Sequence, residues 1–394
     1  MGCGYEGNLP KVGMYMERTI NVGLVGLGFG GAFAAIYANH PNVGTVTLYD
    51  TNEPLLQKVA STLPPAKVRM CGSFAALLQD ESIDAIHLVT PIPLHEEQTV
   101  AVLEAGKHCA CTVPMATSLE GLQRITDAVR RTGKTYMMME TTLYTYQYFY
   151  AAGLLRDGTF GKIQFLRGSH YQDMANWPDY WMGLPPMYYG THAIAPMIGL
   201  ADARIERVHA VGSGTMAPEL VARYGNPYPV ESALFHFANG LKGEATRSLF
   251  ETSRVYQEGM FVYGSDACFE WGFADHDAPY LTKFIPAVPG KRGGTTETEI
   301  LELPNYHMQL PEALRPFTVG GNYDPLNPQE SLVKGAGGGH HGSHPHLVHE
   351  FVTSIIEGRK PWIDEVFGAN IMAAGICAHE SAMRDGAMVD VPVF

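Results

Sequence analysis

The chain has 394 residues, 46% apolar and 17% charged, enough for two domains with full cores and inconsistent with a low-complexity or disordered polypeptide. Its net charge of −13 argues against a general nucleic-acid or anionic-membrane surface, while leaving room for a local basic pocket. Cys3, Cys71, Cys109, Cys111, Cys268 and Cys377 form no C-x-x-C pair, so no disulfide framework is expected and a reducing, cytoplasmic setting is.

Residues 1–19 carry glycines and charges without an apolar core of signal-peptide length, and are expected to form a loose N-terminal extension. No run approaches the ~20 apolar residues of a membrane span. The stretch Asn21–Gly31 comes next: an apolar run, Val22 to Val25, enters Gly26-Leu27-Gly28-Phe29-Gly30-Gly31 and then a small-residue helix pattern from Ala32 to Ala38. Strand, tight turn and helix with G-x-G-x-x-G spacing predict a dinucleotide site. Gly26 suits the turn, Gly28 the approach of a pyrophosphate, and Gly31 the packing of helix on strand. The pyrophosphate would sit on the N–H groups at the helix N-terminus. A second strand, Thr45 to Tyr49, ends in Asp50, 22 residues beyond Gly28. An acid there accepts hydrogen bonds from both ribose hydroxyls and repels a 2′-phosphate, which favours NAD over NADP.

Helix patterns then alternate with strands. Helices are predicted over Glu53–Ser61, Phe74–Gln79 (with Ser73 as N-cap), His95–Ala105 and Leu119–Arg131. Strands are predicted over Lys67–Met70, Ile83–Val89, Lys107–Val113 and Thr135–Met139. Cys109 and Cys111 alternate within such a strand and read as buried thiols. The alternation predicts a parallel doubly wound sheet with ligands at the C-terminal rim, where Asp50, Thr90, Thr112 and Glu140 fall.

From about residue 142 the texture changes. An aromatic stretch containing Tyr144, Tyr146, Tyr148, Phe149 and Tyr150 leads to a strand at Ile163–Tyr171. Further strands at Arg207–Ser213, Val230–Ala238, Glu244–Leu249, Gly259–Gly264 and Cys268–Gly272 predict a large, mostly antiparallel open sheet, with a helix at Thr191–Leu200 on one face. Residues 274–345 show little periodicity and are expected to wrap the surface or cover the site; His346–Glu357 and Ala369–Arg384 read as closing helices. The expected organisation is an extension (1–19), a Rossmann domain (20–142) and an α+β domain (143–394).

These motifs resemble the Gfo/Idh/MocA family of oxidoreductases. The likeness is carried by Gly26–Gly31, Asp50, Thr90-Pro91-Ile92-Pro93-Leu94-His95, Glu104-Ala105-Gly106-Lys107-His108, Cys111-Thr112-Val113-Pro114 in place of the family's C-E-K-P, and Glu357-Gly358-Arg359-Lys360-Pro361. It implies a Rossmann domain, a C-terminal α/β domain whose open sheet makes oligomer contacts (a dimer or tetramer), and a sugar-like substrate over the nicotinamide. It also implies cofactor contacts from Gly26, Gly28, Phe29, Gly30, Gly31, Asp50, Thr90, Pro91, His95, Thr112 and Glu140.

Two departures from the family pattern narrow the reaction. The Lys of E-K-P, an acid/base or electrostatic aid in relatives, is Val113 here, and Lys107 lies at the far end of the same strand. Family dehydrogenases carry Asp and His four apart on a second-domain helix; the corresponding stretch here has Tyr188 at the Asp position, with Tyr189 and His192 three apart. Both features resemble the NAD-dependent glycosidases of the superfamily, such as α-N-acetylgalactosaminidases and sulfoquinovosidases, as does the loop Gly335–Gly342. That resemblance implies retained NAD, oxidation of the sugar at C3, elimination of the aglycone, water addition and return of the hydride.

Such chemistry needs a base, for which His192 is the candidate, its imidazole titrating at ~6.5 when unperturbed. Tyr189 and Tyr144 are candidates for the C2 proton and leaving oxygen, although a phenol of pKa ~10 requires lowering to act as a base. Tyr146, His170, His340 and His341 are candidate sugar contacts. Arg167, Arg247, Arg254 and Lys162 are candidate anchors for an anionic substrate. The histidines from His340 to His349 invite a metal reading, but the reaction requires no ion and none is expected. Two other readings remain: a net sugar dehydrogenase making a 3-keto product, and a non-catalytic NAD-binding sensor.

Overall fold

A computed structural model describes residues 18–254, 256–272, 277–304, 306–318 and 338–394. Most of the expected N-terminal extension, with Cys3, and residues 335–337 of the glycine-rich loop lie outside the described residues. The described residues divide into two compact units: 18–145 with 306–318 and 338–369, and 146–304 (less the undescribed positions) with 370–393.

In the first unit β1 (Ile20–Val25), β2 (Val43–Tyr49), β3 (Val68–Met70), β4 (Ala85–Leu88), β5 (His108–Thr112) and β6 (Tyr136–Met139) form one sheet in the order β3-β2-β1-β4-β5-β6. Every neighbouring pair is parallel. Helices α1 (Gly31–Asn39), α2 (Glu53–Ser61), α3 (Phe74–Gln79), α4 (His95–Glu104) and α5 (Leu119–Thr132) alternate with the strands. This is the doubly wound order, which reverses direction beside β1 and opens a crevice at the C-terminal ends of β1 and β4. β1 is buried except at Asn21 and β4 is buried throughout, as a sheet covered on both faces requires. Local signals set the helix ends: Ser73 caps α3 by accepting from the Ala76 N–H at 3.1 Å, and Ser118 caps α5 from the Gly121 N–H at 3.0 Å. Gly133, at φ 65°, ends α5 in the left-handed region. Cys109 and Cys111 are buried in β5, and burial pushes the Cys111 thiol up to about 12.

The second unit contains α6 (Tyr146–Arg156), β7 (Ile163–Gln172), α7 (Thr191–Ala201), β8 (Ile205–Ser213), α8 (Pro218–Tyr224), β9 (Val230–Phe237), β10 (Lys242–Ser248), β11 (Tyr256–Gly264), β12 (Ala267–Glu270), β13 (Tyr280–Ile285) and β14 (Thr295–Ile300). The C-terminal helices are α9 (Gly338–Glu357) and α10 (Glu365–Ala382), followed by β15 (Val389–Asp390). The nine-stranded sheet runs β14-β13-β12-β11-β7-β10-β9-β8-β15, antiparallel at every junction except the parallel β7–β10 pair. Helix α7 lies against β7 because Gly168 has no side chain: a Cβ there would stand 2.0 Å from the Ala193 carbonyl oxygen. Ala193, Ile194, Ala195, Met197 and Ile198 are buried, each large one of them stabilising the unit by roughly 1.5–3 kcal/mol.

Three expectations need correction. The hairpin β13–β14 lies within the stretch read as irregular; its outer strand, Thr295–Ile300, is exposed throughout and polar up to its last residue, so it has no alternating pattern to reveal it. Helix α9 begins at Gly338 rather than His346, with His340, His341 and Gly342 at positive φ. Residues 306–318 and 338–369 group with the first unit, not the second, because α9 packs on α1 and on the 3₁₀ turn Thr142–Tyr144.

Candidate active site

In the first unit the glycine loop has the shape its spacing predicts. Gly26 adopts φ 85°, and a Cβ there would meet the Val89 carbonyl oxygen at 2.3 Å. Gly30 makes an approach the spacing did not single out, with its Cβ position 1.9 Å from the Gly26 carbonyl oxygen. Around the Cβ position of Gly28 nothing lies within 4 Å, which leaves the room a pyrophosphate needs beside the start of α1. Asp50 braces this loop: its Oδ2 accepts from the Leu27 N–H at 2.6 Å and its Oδ1 from the Asn52 N–H at 2.7 Å. Each carboxylate oxygen keeps a further lone pair for a ribose hydroxyl. The residues therefore fit a dinucleotide.

Around the rim, Thr90 donates to Gln98 Oε1 at 2.6 Å. The buried His95 spans two carbonyl oxygens at 2.7 Å, Pro114 through Nδ1 and Thr90 through Nε2. Burial lowers its pKa and these two acceptors raise it, and it pins the Thr90-Pro91 turn to the segment after β5. Thr112 is half-buried and donates to the Leu88 carbonyl at 3.3 Å; Val113 beside it is 9% exposed. Glu140 is buried, and its Oε1 accepts from the Thr142 N–H at 2.9 Å and the Thr142 hydroxyl at 2.8 Å. It holds the turn that carries Tyr144, whose ring meets Trp362 edge-on at 5.7 Å. Phe29, 46% exposed, lies edge-on to His340 at 6.2 Å and His344 at 5.5 Å, so the glycine- and histidine-rich segment borders the glycine loop. His341 is buried. A cleft of about 320 Å³ lined by Lys107, His108, Lys134 and Asp84 lies at the N-terminal strand ends, the opposite rim from the glycine loop.

The second unit gathers several of the candidate residues. His170 on β7 and His192 on α7 have ring centroids 4.8 Å apart. Tyr189 lies 5.4 Å from His192 and 6.3 Å from His170, with Trp181 edge-on to it at 4.9 Å. Tyr189 belongs to the 3₁₀ turn Pro186–Tyr189, not to α7 itself, so the expected shared helix face is a turn-and-helix corner. That turn is held from behind: buried Glu231 accepts from the Met187 N–H at 2.8 Å and from His379 Nδ1 at 2.6 Å. Tyr188 meets His379 edge-on at 5.1 Å.

Arg247, a candidate anion anchor, is fully buried and committed to the protein. Its Nε donates to the Tyr189 carbonyl at 2.8 Å, Nη1 to the His170 carbonyl at 3.1 Å, and Nη2 to Gln172 Oε1 at 3.0 Å. Arg167 pairs with Glu244 at 2.7 Å on the surface. Sequence reasoning missed Glu258 on β11, which is buried, is the cross-strand partner of His170, and accepts a hydrogen bond from the Tyr256 hydroxyl. The available signal was the strand pairing, since an acid in a buried strand demands a partner. Tyr144 stands in the first unit and Tyr146 opens α6 in the second, half-buried.

Residues 20–140 match the Gfo/Idh/MocA family model, an oxidoreductase family with an NAD-binding Rossmann fold. A glycosyl hydrolase family 109 protein of Porphyromonas gingivalis is 26% identical over 255 residues, which is 60% of this chain and 54% of that protein. One from Streptomyces coelicolor is 25% identical over 227 residues, 52% of this chain and 48% of that protein. The chain thus spans about half the length of these curated relatives. Among solved structures, levoglucosan dehydrogenase in complex with NADH superposes with a TM-score of 0.74 at 22% identity, covering 96% of this chain and all (100%) of that one. A myo-inositol 2-dehydrogenase from Lactobacillus plantarum gives a TM-score of 0.70 at 17% identity, covering 95% and 100%. At these identities the structures establish a shared fold. Among the described residues no helix is long and apolar enough to cross a membrane.

Proposed function

With residues 20–140 forming an NAD-binding Rossmann domain of the Gfo/Idh/MocA family, we propose that the chain is an NAD-dependent enzyme acting on a sugar or glycoside, and that it hydrolyses glycosides without net redox change. The observation that carries this reading is the ring cluster of buried His170 and His192 with half-buried Tyr189. Apolar Val113 at the family's lysine position supports it, as does similarity to relatives named glycosyl hydrolase family 109.

NAD held by Gly26, Gly28, Gly30 and Asp50 would supply a reversible hydride acceptor for sugar C3. His192 accepts the proton of the C3 hydroxyl and later returns it. A C3 ketone acidifies the C2 proton, which Tyr189 removes as the C1–O bond to the aglycone breaks and the aglycone oxygen takes up a proton. Water then adds at C1, with C2 reprotonated, so the net change is glycoside plus water to free sugar plus alcohol. Glu231, through the Met187 N–H, is a positioning residue for the turn that carries Tyr189.

The test is turnover of a panel of aryl glycosides in D₂O with only catalytic NAD⁺. Release of the aryl alcohol without net NADH, with deuterium at sugar C2, is the expected result. Stoichiometric NADH with an intact, oxidised glycoside would make the chain a net dehydrogenase and overturn the hydrolytic reading. Tight NAD binding with neither product would make it a sensor.

A further inference from the structure

The buried cluster of the second unit contains two groups the proposed proton transfers do not use, His170 and Glu258. Glu258 on β11 stands directly across from His170 on β7 in an antiparallel pair, so the two side chains leave the sheet on the same face. Gly168, two residues before His170 and therefore also on that face, admits the α7 backbone, and α7 brings His192 to the same place. His170 is 0%, His192 3% and Glu258 1% exposed. One ligand-type atom from each lies within 4.8 Å of those from the other two.

We propose that His170, His192 and Glu258 bind one divalent first-row transition-metal ion, with Zn²⁺ as the reference ion. Four lines of chemistry converge on this. Two imidazoles and one carboxylate form a mixed nitrogen and oxygen set that suits zinc-like ions, whereas Mg²⁺ and Ca²⁺ prefer all-oxygen sets. Ligand atoms of a tetrahedral zinc stand about 3.3 Å apart at zinc–ligand distances of ~2.0–2.2 Å, so modest side-chain rotations bring this trio onto an ion. A dication also compensates the buried carboxylate, whose desolvation is otherwise costly. The Tyr256 hydroxyl, donating to Glu258, supplies the outer contact that fixes a carboxylate ligand.

Three protein ligands leave a coordination position open for water or a sugar hydroxyl. With the ion in place, His192 uses one ring nitrogen as a ligand. The site itself does not rest on whether the hydride returns to the sugar.

The experiment uses the full, untagged chain, stripped with a chelator and titrated with Zn²⁺ against a chromophoric competitor. One equivalent of Zn²⁺ per chain is expected. Glu258→Gln and His170→Gln should each weaken it by about 100-fold, and the milder Tyr256→Phe by about 10-fold. Circular dichroism of each variant confirms that it folds. Co²⁺ in place of Zn²⁺ should give visible d–d absorption in the wild type that is lost in Glu258→Gln. His346→Gln, in the first unit, should keep the full equivalent. The proposal is overturned if the wild type binds no stoichiometric Zn²⁺, if Glu258→Gln retains its affinity, or if His346→Gln loses the ion instead. NAD binding, followed by fluorescence in the same samples, reports separately on the cofactor site.

Discussion

Both units bury histidines, and the two sets keep different company. In the first unit, the Phe33 ring stands 4.8 Å from His87 and 4.5 Å from His344, and His40 Nε2 meets His349 Nδ1 at 3.0 Å. Burial holds these rings neutral, with pKa values lowered to about 3 at His40 and His87 and about 4 at His349. They pack α9 against α1 and the sheet. In the second unit, His170 faces a buried carboxylate in register, and a tyrosine donates to that carboxylate. Burial by itself makes a histidine a neutral packing group. A converging carboxylate and hydroxyl are what make a histidine pair a site for protons or metal ions.

The largest expected contrast is catalytic. His192→Ala should lower kcat by about 10²–10⁴-fold while NAD affinity stays within about threefold, whereas His346→Gln should leave kcat nearly unchanged. Steady-state kinetics with fluorescence titration of NAD checks both, and equal losses from the two variants would erase the distinction drawn here.

A smaller contrast is in acid stability. The unfolded histidines titrate near ~6.5, while burial depresses His40, His87, His346 and His349 in the folded chain. Lys67 adds to the depression at His40, and Glu350 and Glu357 oppose it at His349. Between about pH 6.5 and pH 4 the unfolded chain therefore binds more protons, so stability is full above ~6.5 and falls as pH drops toward the folded values. A melting temperature lower by about 5 °C at pH 5 than at pH 7 is expected, with a flatter slope in the double variant His40→Gln/His349→Gln.

Next in size, Glu231→Gln should cost about 1–3 kcal/mol in denaturant unfolding, because it weakens the buried pair with His379 and the grip on Met187. Its kcat should fall while NAD affinity is unchanged, as a positioning role requires. The smallest effect belongs to Arg167→Gln on the sheet surface, expected to change stability by less than about 1 kcal/mol because the pair with Glu244 is solvent-screened.

Much of the first unit was legible from local pattern. Glycine spacing located the turn because Gly26 needs a positive φ, and a loop of that shape is specified within a few residues. Asp50 was legible as an acid at the end of the second strand, yet its bracing of the Leu27 N–H was not, since that bond spans 23 residues. Gly30 illustrates the same limit: its close approach to the Gly26 carbonyl appears only when the turn is built. His340, read as a sugar contact, proved to border Phe29 and the cofactor loop, because α9 packs with the first unit.

The amino-acid sequence by itself determined the alternation of strands and helices, the cofactor loop, the helix caps and the presence of His192 and Tyr189 on one short segment. These are properties of neighbours in the chain, set by periodicity, turn geometry and capping. Only the tertiary structure decided which strand faces which. It brought Glu258 opposite His170 across 88 positions, committed Arg247 to the carbonyls of Tyr189, His170 and Ser248 and to Gln172 Oε1, and assigned residues 338–369 to the first unit. Sheet register is a long-range property, fixed by the burial of whole faces, and a buried acid becomes readable as a ligand only once that register is known.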